Sequence, residues 1–138
     1  MRLHRDAKVE QFSKVPLFAR CSKHELQELA TAADEIDLPA GKVLTREGDR
    51  GREFFVLLDG TAEVRKNSVV IRTLGAGDFL GEIALVSKEP RTATVTTTSP
   101  VQALVITDQA FAALLAHVPS LQRAVLEALA DRLAADEI

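Results

Sequence analysis

Residues 75–98 read GAGDFLGEIALVSKEPRTATVTTT and hold the side chains best suited to chemistry. Within this stretch Gly81-Glu82-Ile83-Ala84-Leu85 is long enough for about one helical turn, and the free backbone N–H groups at the start of such a turn suit an anion. Further on, Pro90-Arg91-Thr92-Ala93-Thr94 brings an arginine into what reads as a strand of small and hydroxyl residues. A guanidinium held there presents a fork that takes two phosphate oxygens at once, and Thr92 adds a hydroxyl and its own N–H. Glu82 has the wrong sign for phosphate and suits a hydroxyl donor such as a ribose. Anion donors, a bidentate cation and one acceptor together fit a sugar phosphate better than a bare ion. A second reading stays open on spacing alone: Glu82 and Arg91 pair across a turn, and Gly81 serves only the backbone.

The elements that must position these residues follow from periodicity. Ser22-Lys23-His24-Glu25 has the form of a capping box, and Leu26, Leu29, Ala30 and Ala33 follow at helical spacing. Ahead of it, Pro16-Leu17-Phe18 reads as a short apolar turn that packs the amino-terminal arm. Pro39-Ala40-Gly41 breaks the helical period, and short strands are expected at 43–44, 54–58, 62–64, 69–74, 93–98 and 101–106. Turn residues separate them, among them Gly48-Asp49-Arg50-Gly51, Asp59-Gly60, Lys66-Asn67-Ser68 and Gly75-Ala76-Gly77-Asp78. Many short strands divided by such turns predict a mainly β fold, an antiparallel jelly roll with flanking helices, rather than alternating βαβ units. Asp108 is placed to cap a helix carrying Phe111, Leu114, Leu115 and Val118, and Pro119 opens a last helix with Leu121, Val125, Leu129 and Leu133 at spacings of four. That stripe suits a face packed on the body of the domain, a lid or a dimer seam.

The 138 residues suffice for one domain. It divides into a helical arm at 1–34, a β-roll at 35–107 with the anion segment at 81–93, and two helices at 108–138, expected as a hinge and, if the stripe is not simply a packed face or a dimer seam, a lid. Apolar residues make up 46% of the chain and charged residues 27%, enough to bury a core and fold alone. Seventeen basic against twenty acidic residues give a net charge of −3, which argues against direct nucleic-acid binding through the phosphate backbone. The start of the chain is charged with no apolar h-region behind it, and no run approaches the roughly 20 apolar residues of a membrane span, so a cytoplasmic location is expected. Cys21 is the sole cysteine, which excludes an intramolecular disulfide and reads as a small hydrophobe.

At Pro16-Leu17-Phe18, Glu47-Gly48, residues 54–60, Gly77-Asp78-Phe79 and above all 81–85 and 90–94, the sequence resembles the cyclic nucleotide-binding domains. These domains occur in bacterial catabolite activators, protein kinase regulatory subunits and cyclic nucleotide-gated channels. The resemblance runs over nearly the whole chain, and 81–94 looks like the family's phosphate-binding cassette. It implies that Arg91 pairs with the exocyclic oxygens of the cyclic phosphate, that Glu82 accepts from the ribose 2′-hydroxyl, and that backbone groups of Gly81, Ile83 and Ala84 line the same pocket. Thr92 stands where threonine goes with tolerance of or preference for guanine, so the implied ligand is cAMP or cGMP, with no separate cofactor and no metal. The last helix is implied to close over the base on ligand binding, with Arg132 aligned with an arginine that stacks on the purine in some channels and Leu129 and Leu133 as apolar alternatives.

Two departures stand out. Leu80 replaces a common phenylalanine, and Lys88 occupies a turn position where glycine is usual, which predicts local strain. The implied function is a regulatory sensor, not an enzyme, read by an unidentified effector protein or domain or through a homodimer. The alternative is a ligand-free docking or dimerisation module of the same fold. A cupin-like enzyme would need a metal cluster, and His4, His24 and His117 are too scattered for one. The sequence has no helix-turn-helix after the last helix and no spans before the first, so the expected chain is either a complete regulator or a domain of a longer protein.

Overall fold

The computed structural model describes residues 3–136, and side chains as far as Asp131. Two compact units emerge, one helical, from 1–33 and 109–138, and one of strands, Asp34–Asp108.

In the helical unit, α1 is Arg5–Ser13, a 3-10 turn spans Pro16–Phe18, α2 is Lys23–Ala32, α3 is Asp108–His117 and α4 is Pro119–Asp136. The capping box forms as the sequence predicts: the Glu25 N–H donates to Ser22 Oγ at 3.2 Å and the Ser22 N–H donates to Glu25 Oε1 at 2.6 Å. Proline at the first position of the 3-10 turn presets its φ and sends Leu17 and Phe18 inward. Phe18 lies 6.1 Å from both Phe12 and Phe111, so the aromatic rings tie α1, the turn and α3 into one core. The α4 face differs from the expected stripe. Leu121, Ala124, Val125 and Ala128 are buried, Leu129 is half-buried, and the side chains of Arg132 and Leu133 lie outside the described residues. Alanines at i+3 and i+7 are what let α4 approach the 3-10 turn, and a search for large apolar residues passes over them.

Glu25 is almost wholly buried. Burial pushes its carboxyl up, but hydrogen bonds from Ser120 and Ser22 outweigh burial and hold it below the usual carboxylate range. A depressed folded-state value stabilises the fold above the unfolded value of about 4.3 and loses that contribution as pH falls through the folded value. Glu25→Gln is therefore expected to lower Tm at neutral pH, and the gap to the parent protein is expected to close on acidification to about pH 3. Thermal melts across that range check it, and a gap independent of pH would refute it.

In the strand unit, β1 is Asp34–Leu38, β2 Val43–Thr45, β3 Glu53–Asp59, β4 Ala62–Lys66, β5 Val69–Leu74, β6 Phe79–Leu80, β7 Thr94–Thr97 and β8 Val101–Thr107. They form two antiparallel four-stranded sheets, ordered β1-β8-β3-β6 and β2-β7-β4-β5. Leu57, Val101 and Ala103 of the first sheet meet Ala62, Leu74 and Val95 of the second in a shared core. The mainly β, antiparallel class is as expected. Two strands are additions to the sequence reading: β1, whose Asp-Glu-Ile-Asp-Leu gains order by pairing with β8, and the two-residue β6. Both take their strand character from a partner rather than from propensity.

Candidate functional site

Gly81 ends β6 and caps the 3-10 turn Glu82–Leu85 with φ +84°, a left-handed conformation that favours glycine. Leu85 is buried and anchors the turn. A Cβ on Gly81 would lie 2.2 Å from Arg91 Nη1 and 2.8 Å from the Glu53 carbonyl oxygen, so this glycine also makes room for the arginine.

Arg91 does not sit in a strand, contrary to the sequence expectation. It follows the isolated bridge between Arg50 and Pro90 and precedes β7. Its backbone is held twice: its N–H donates to the Asp49 carbonyl at 2.7 Å, and its carbonyl accepts from the Gly48 N–H at 2.8 Å. The loop between β2 and β3 thus fixes where the arginine starts. Its side chain runs between two glycines, for a Cβ on Gly51 would lie 2.0 Å from Nε. Nη2 donates to the Glu53 carbonyl at 2.5 Å, while Nε is buried with no hydrogen-bond partner. Burial lowers the guanidinium's proton affinity, and the nearby charges of Glu53 and Glu82 only partly restore it. A partly desolvated cation of this kind is held ready for an anion.

The segment after Arg91 is pinned by hydroxyls. Thr45 Oγ1 donates to the Ala93 carbonyl at 3.0 Å, and Thr94 Oγ1 accepts from the Glu47 N–H at 3.0 Å. Gly81, Arg91 and exposed Thr92 then form one end of a pocket of about 300 Å3. Val64, Ile71, Leu74, Leu80 and Val95 supply an apolar wall, and Arg72 of β5 lies on the rim, 3.8 Å from Asp78 Oδ1. The volume is at the lower end of the roughly 300–1,000 Å3 of small-molecule sites, and a charged end with an apolar wall suits a ligand that is anionic at one end and flat and apolar at the other.

The structure therefore brings together Gly81, Arg91 and Thr92. Glu82, Ile83 and Ala84 adjoin the pocket on the 3-10 turn and are not among its lining residues. The Ala84 N–H donates to the Gly81 carbonyl at 3.0 Å, and Glu82 is half-buried with its charge felt at Arg91. The Arg132 side chain lies outside the described residues. Lys88 does not take the strained conformation expected of it: among the described residues the only non-glycine positions with positive φ are Asn67 and Ser68. Gly51, Glu53 and Arg72 are contributors that sequence reasoning missed. Among the described residues no group of three or more His, Cys, Asp or Glu gathers as for a metal ion, and no helix is long and apolar enough to cross a membrane.

Residues 35–118 match the family described as the cyclic nucleotide-binding domain. The chain is 40% identical over 83 residues to a cAMP-dependent protein kinase regulatory subunit of Schizosaccharomyces pombe, covering 59% of this chain and 20% of that protein. It is 37% identical over 82 residues to a cGMP-dependent protein kinase of Toxoplasma gondii, covering 59% of this chain and 8% of that protein. The chain thus spans a fifth or less of the length of these two relatives. Among solved structures, the N-terminal domain of a transcriptional regulator from Streptomyces coelicolor superposes with a TM-score of 0.84 at 28% identity, covering 92% of this chain and 94% of that one.

Proposed function

This chain belongs to the cyclic nucleotide-binding domain family, and from that premise we propose that it is a sensor whose pocket beside Gly81 and Arg91 takes a cyclic nucleotide. The observation that carries the reading is the Arg91 guanidinium, threaded between Gly51 and Gly81 and partly desolvated beside Thr92 in a pocket walled largely by apolar side chains. In this reading Arg91 takes the exocyclic phosphate oxygens, backbone groups of Gly81, Ile83 and Ala84 line the phosphate end, and Glu82 accepts from the ribose 2′-hydroxyl. Val64, Ile71 and Val95 cover the base. Ligand arrival closes the last helix, where Leu129, Arg132 and Leu133 stand, and an effector or a second copy of the chain reads that movement.

Arg72 bears on the choice of base. A guanidinium on the rim matches the O6 and N7 acceptors of guanine, whereas adenine pairs one acceptor with an N6 donor that repels it. With Thr92 beside the phosphate, this favours cGMP. Arg72→Ala is expected to weaken cGMP by about 1–3 kcal/mol, roughly five-fold to 150-fold, and cAMP by much less. Calorimetric titration of each nucleotide into protein unfolded and refolded to strip bound ligand tests both points. Saturable binding of either nucleotide supports the sensor. No heat from folded protein would leave a ligand-free docking module, and equal losses for the two nucleotides in Arg72→Ala would remove the base-reading role.

A further inference from the structure

We propose that the strand unit carries a second anion site, specific for a small polyphosphate, on the other flank of the Arg91 side chain. A pocket of about 460 Å3 opens beside β2 and the β2–β3 connection, and Lys42, Arg46, Arg50, Arg52 and Arg91 all line it. Only Asp49 and Glu53 oppose them there, so positive charge gathers in one concavity of a chain whose net charge is −3. Arg50 also reaches Asp108 at 3.5 Å, but among the described residues Lys42, Arg46 and Arg52 have no ion pair. Cations crowded in this way repel one another, and a multiply charged anion relieves that repulsion.

The chemistry favours phosphate over a peptide. Arginine forks match phosphate oxygens two at a time, and several forks around one concavity suit adjoining phosphates. A peptide added to the sheet would need a strand edge of useful length, and β2 is three residues long with a register shift between Val43 and Thr45. The volume also lies within the small-molecule range.

The same loop clamps the Arg91 backbone through Asp49 and Gly48, and the arginine lines both pockets. An anion on this flank therefore competes for the guanidinium, and each ligand weakens the other by the same factor. This coupling rests on the cyclic nucleotide reading; the polyphosphate site does not.

The test is calorimetric titration of inorganic tripolyphosphate into the stripped full chain at constant ionic strength, with a hexaglutamate peptide as the charge control. Saturable binding is expected, weaker by roughly tenfold or more in Arg46→Ala and in Arg52→Ala, because each removes a charge-assisted contact. Both side chains are exposed, so Tm and cGMP affinity are expected to hold in these variants. No saturation, equal binding of hexaglutamate, or binding that ignores Arg46 and Arg52 would overturn the site. Tripolyphosphate is further expected to weaken cGMP in the parent protein and not in the Arg46→Ala/Arg52→Ala double variant. Tripolyphosphate binding that depends on Arg46 in a protein that binds neither nucleotide would uphold this site and refute the sensor instead.

Discussion

Arg91→Ala is expected to cost cyclic nucleotide affinity about 2–5 kcal/mol, thirty-fold to several thousand-fold, with little change in the Tm of the ligand-free protein. The two effects separate because the arginine gives the ligand-free fold little. Its Nε is buried without a partner, and among the described residues its side chain makes one hydrogen bond, to the carbonyl of Glu53, an exposed residue at the start of β3. Removing a buried, incompletely satisfied donor is close to neutral for folding. Among the described residues Arg91 is the one cation that lines both pockets, so in the proposed reading its loss would leave the ligand's phosphate to be desolvated without compensation. Arg91→Lys is the informative companion, since it keeps the charge and loses the fork, and an intermediate loss is expected. Titration of both variants, with thermal melts alongside, checks the pair. Unchanged affinity in Arg91→Ala would sink the sensor reading.

The location of the candidate site was legible where it depended on residue type at short range. A glycine before a one-turn apolar segment and an arginine ten residues later are local features, and the structure brings Gly81, Arg91 and Thr92 to one pocket. The capping box at Ser22 and the helix opening at Pro119 were legible for the same reason. What escaped depends on the fold itself. Gly48, Gly51 and Gly77 look alike in sequence, each a glycine in a polar turn. Yet a Cβ on Gly48 or Gly77 would meet nothing within 4 Å, whereas one on Gly51 would strike a side chain forty positions away. Arg91 itself reads as a strand residue because threonines and a valine follow it, but its backbone groups are taken by the β2–β3 loop before β7 begins. β1 was hidden by its acidic residues, which only the register with β8 turns into a strand. Arg72 was passed over because an exposed arginine on an edge strand looks the same whether or not a pocket opens beside it.

Gly51 gives the second large effect and the cleaner probe of the geometry. Its backbone does not need a left-handed φ, so alanine is conformationally acceptable there, and the atoms its Cβ would meet belong to the movable end of Arg91. Gly51→Ala is therefore expected to fold with a Tm near that of the parent protein while pushing the guanidinium out of line, at a cost of roughly tenfold to a hundredfold or more in nucleotide affinity. Gly81→Ala behaves differently. Its φ of +84° is strained for alanine, and its Cβ would meet the Glu53 carbonyl at 2.8 Å, backbone inside β3 that cannot yield as a side chain does. That variant is expected to lose affinity and also about 1–3 kcal/mol of stability. A double-mutant cycle separates displacement of Arg91 from any other damage. If Gly51 acts only by leaving space for the guanidinium, Gly51→Ala has no further effect once Arg91 is alanine, and the two losses are strongly non-additive. Additive losses would mean that Gly51 contacts the ligand by some other route, and the view of two glycines framing one arginine would fail with them.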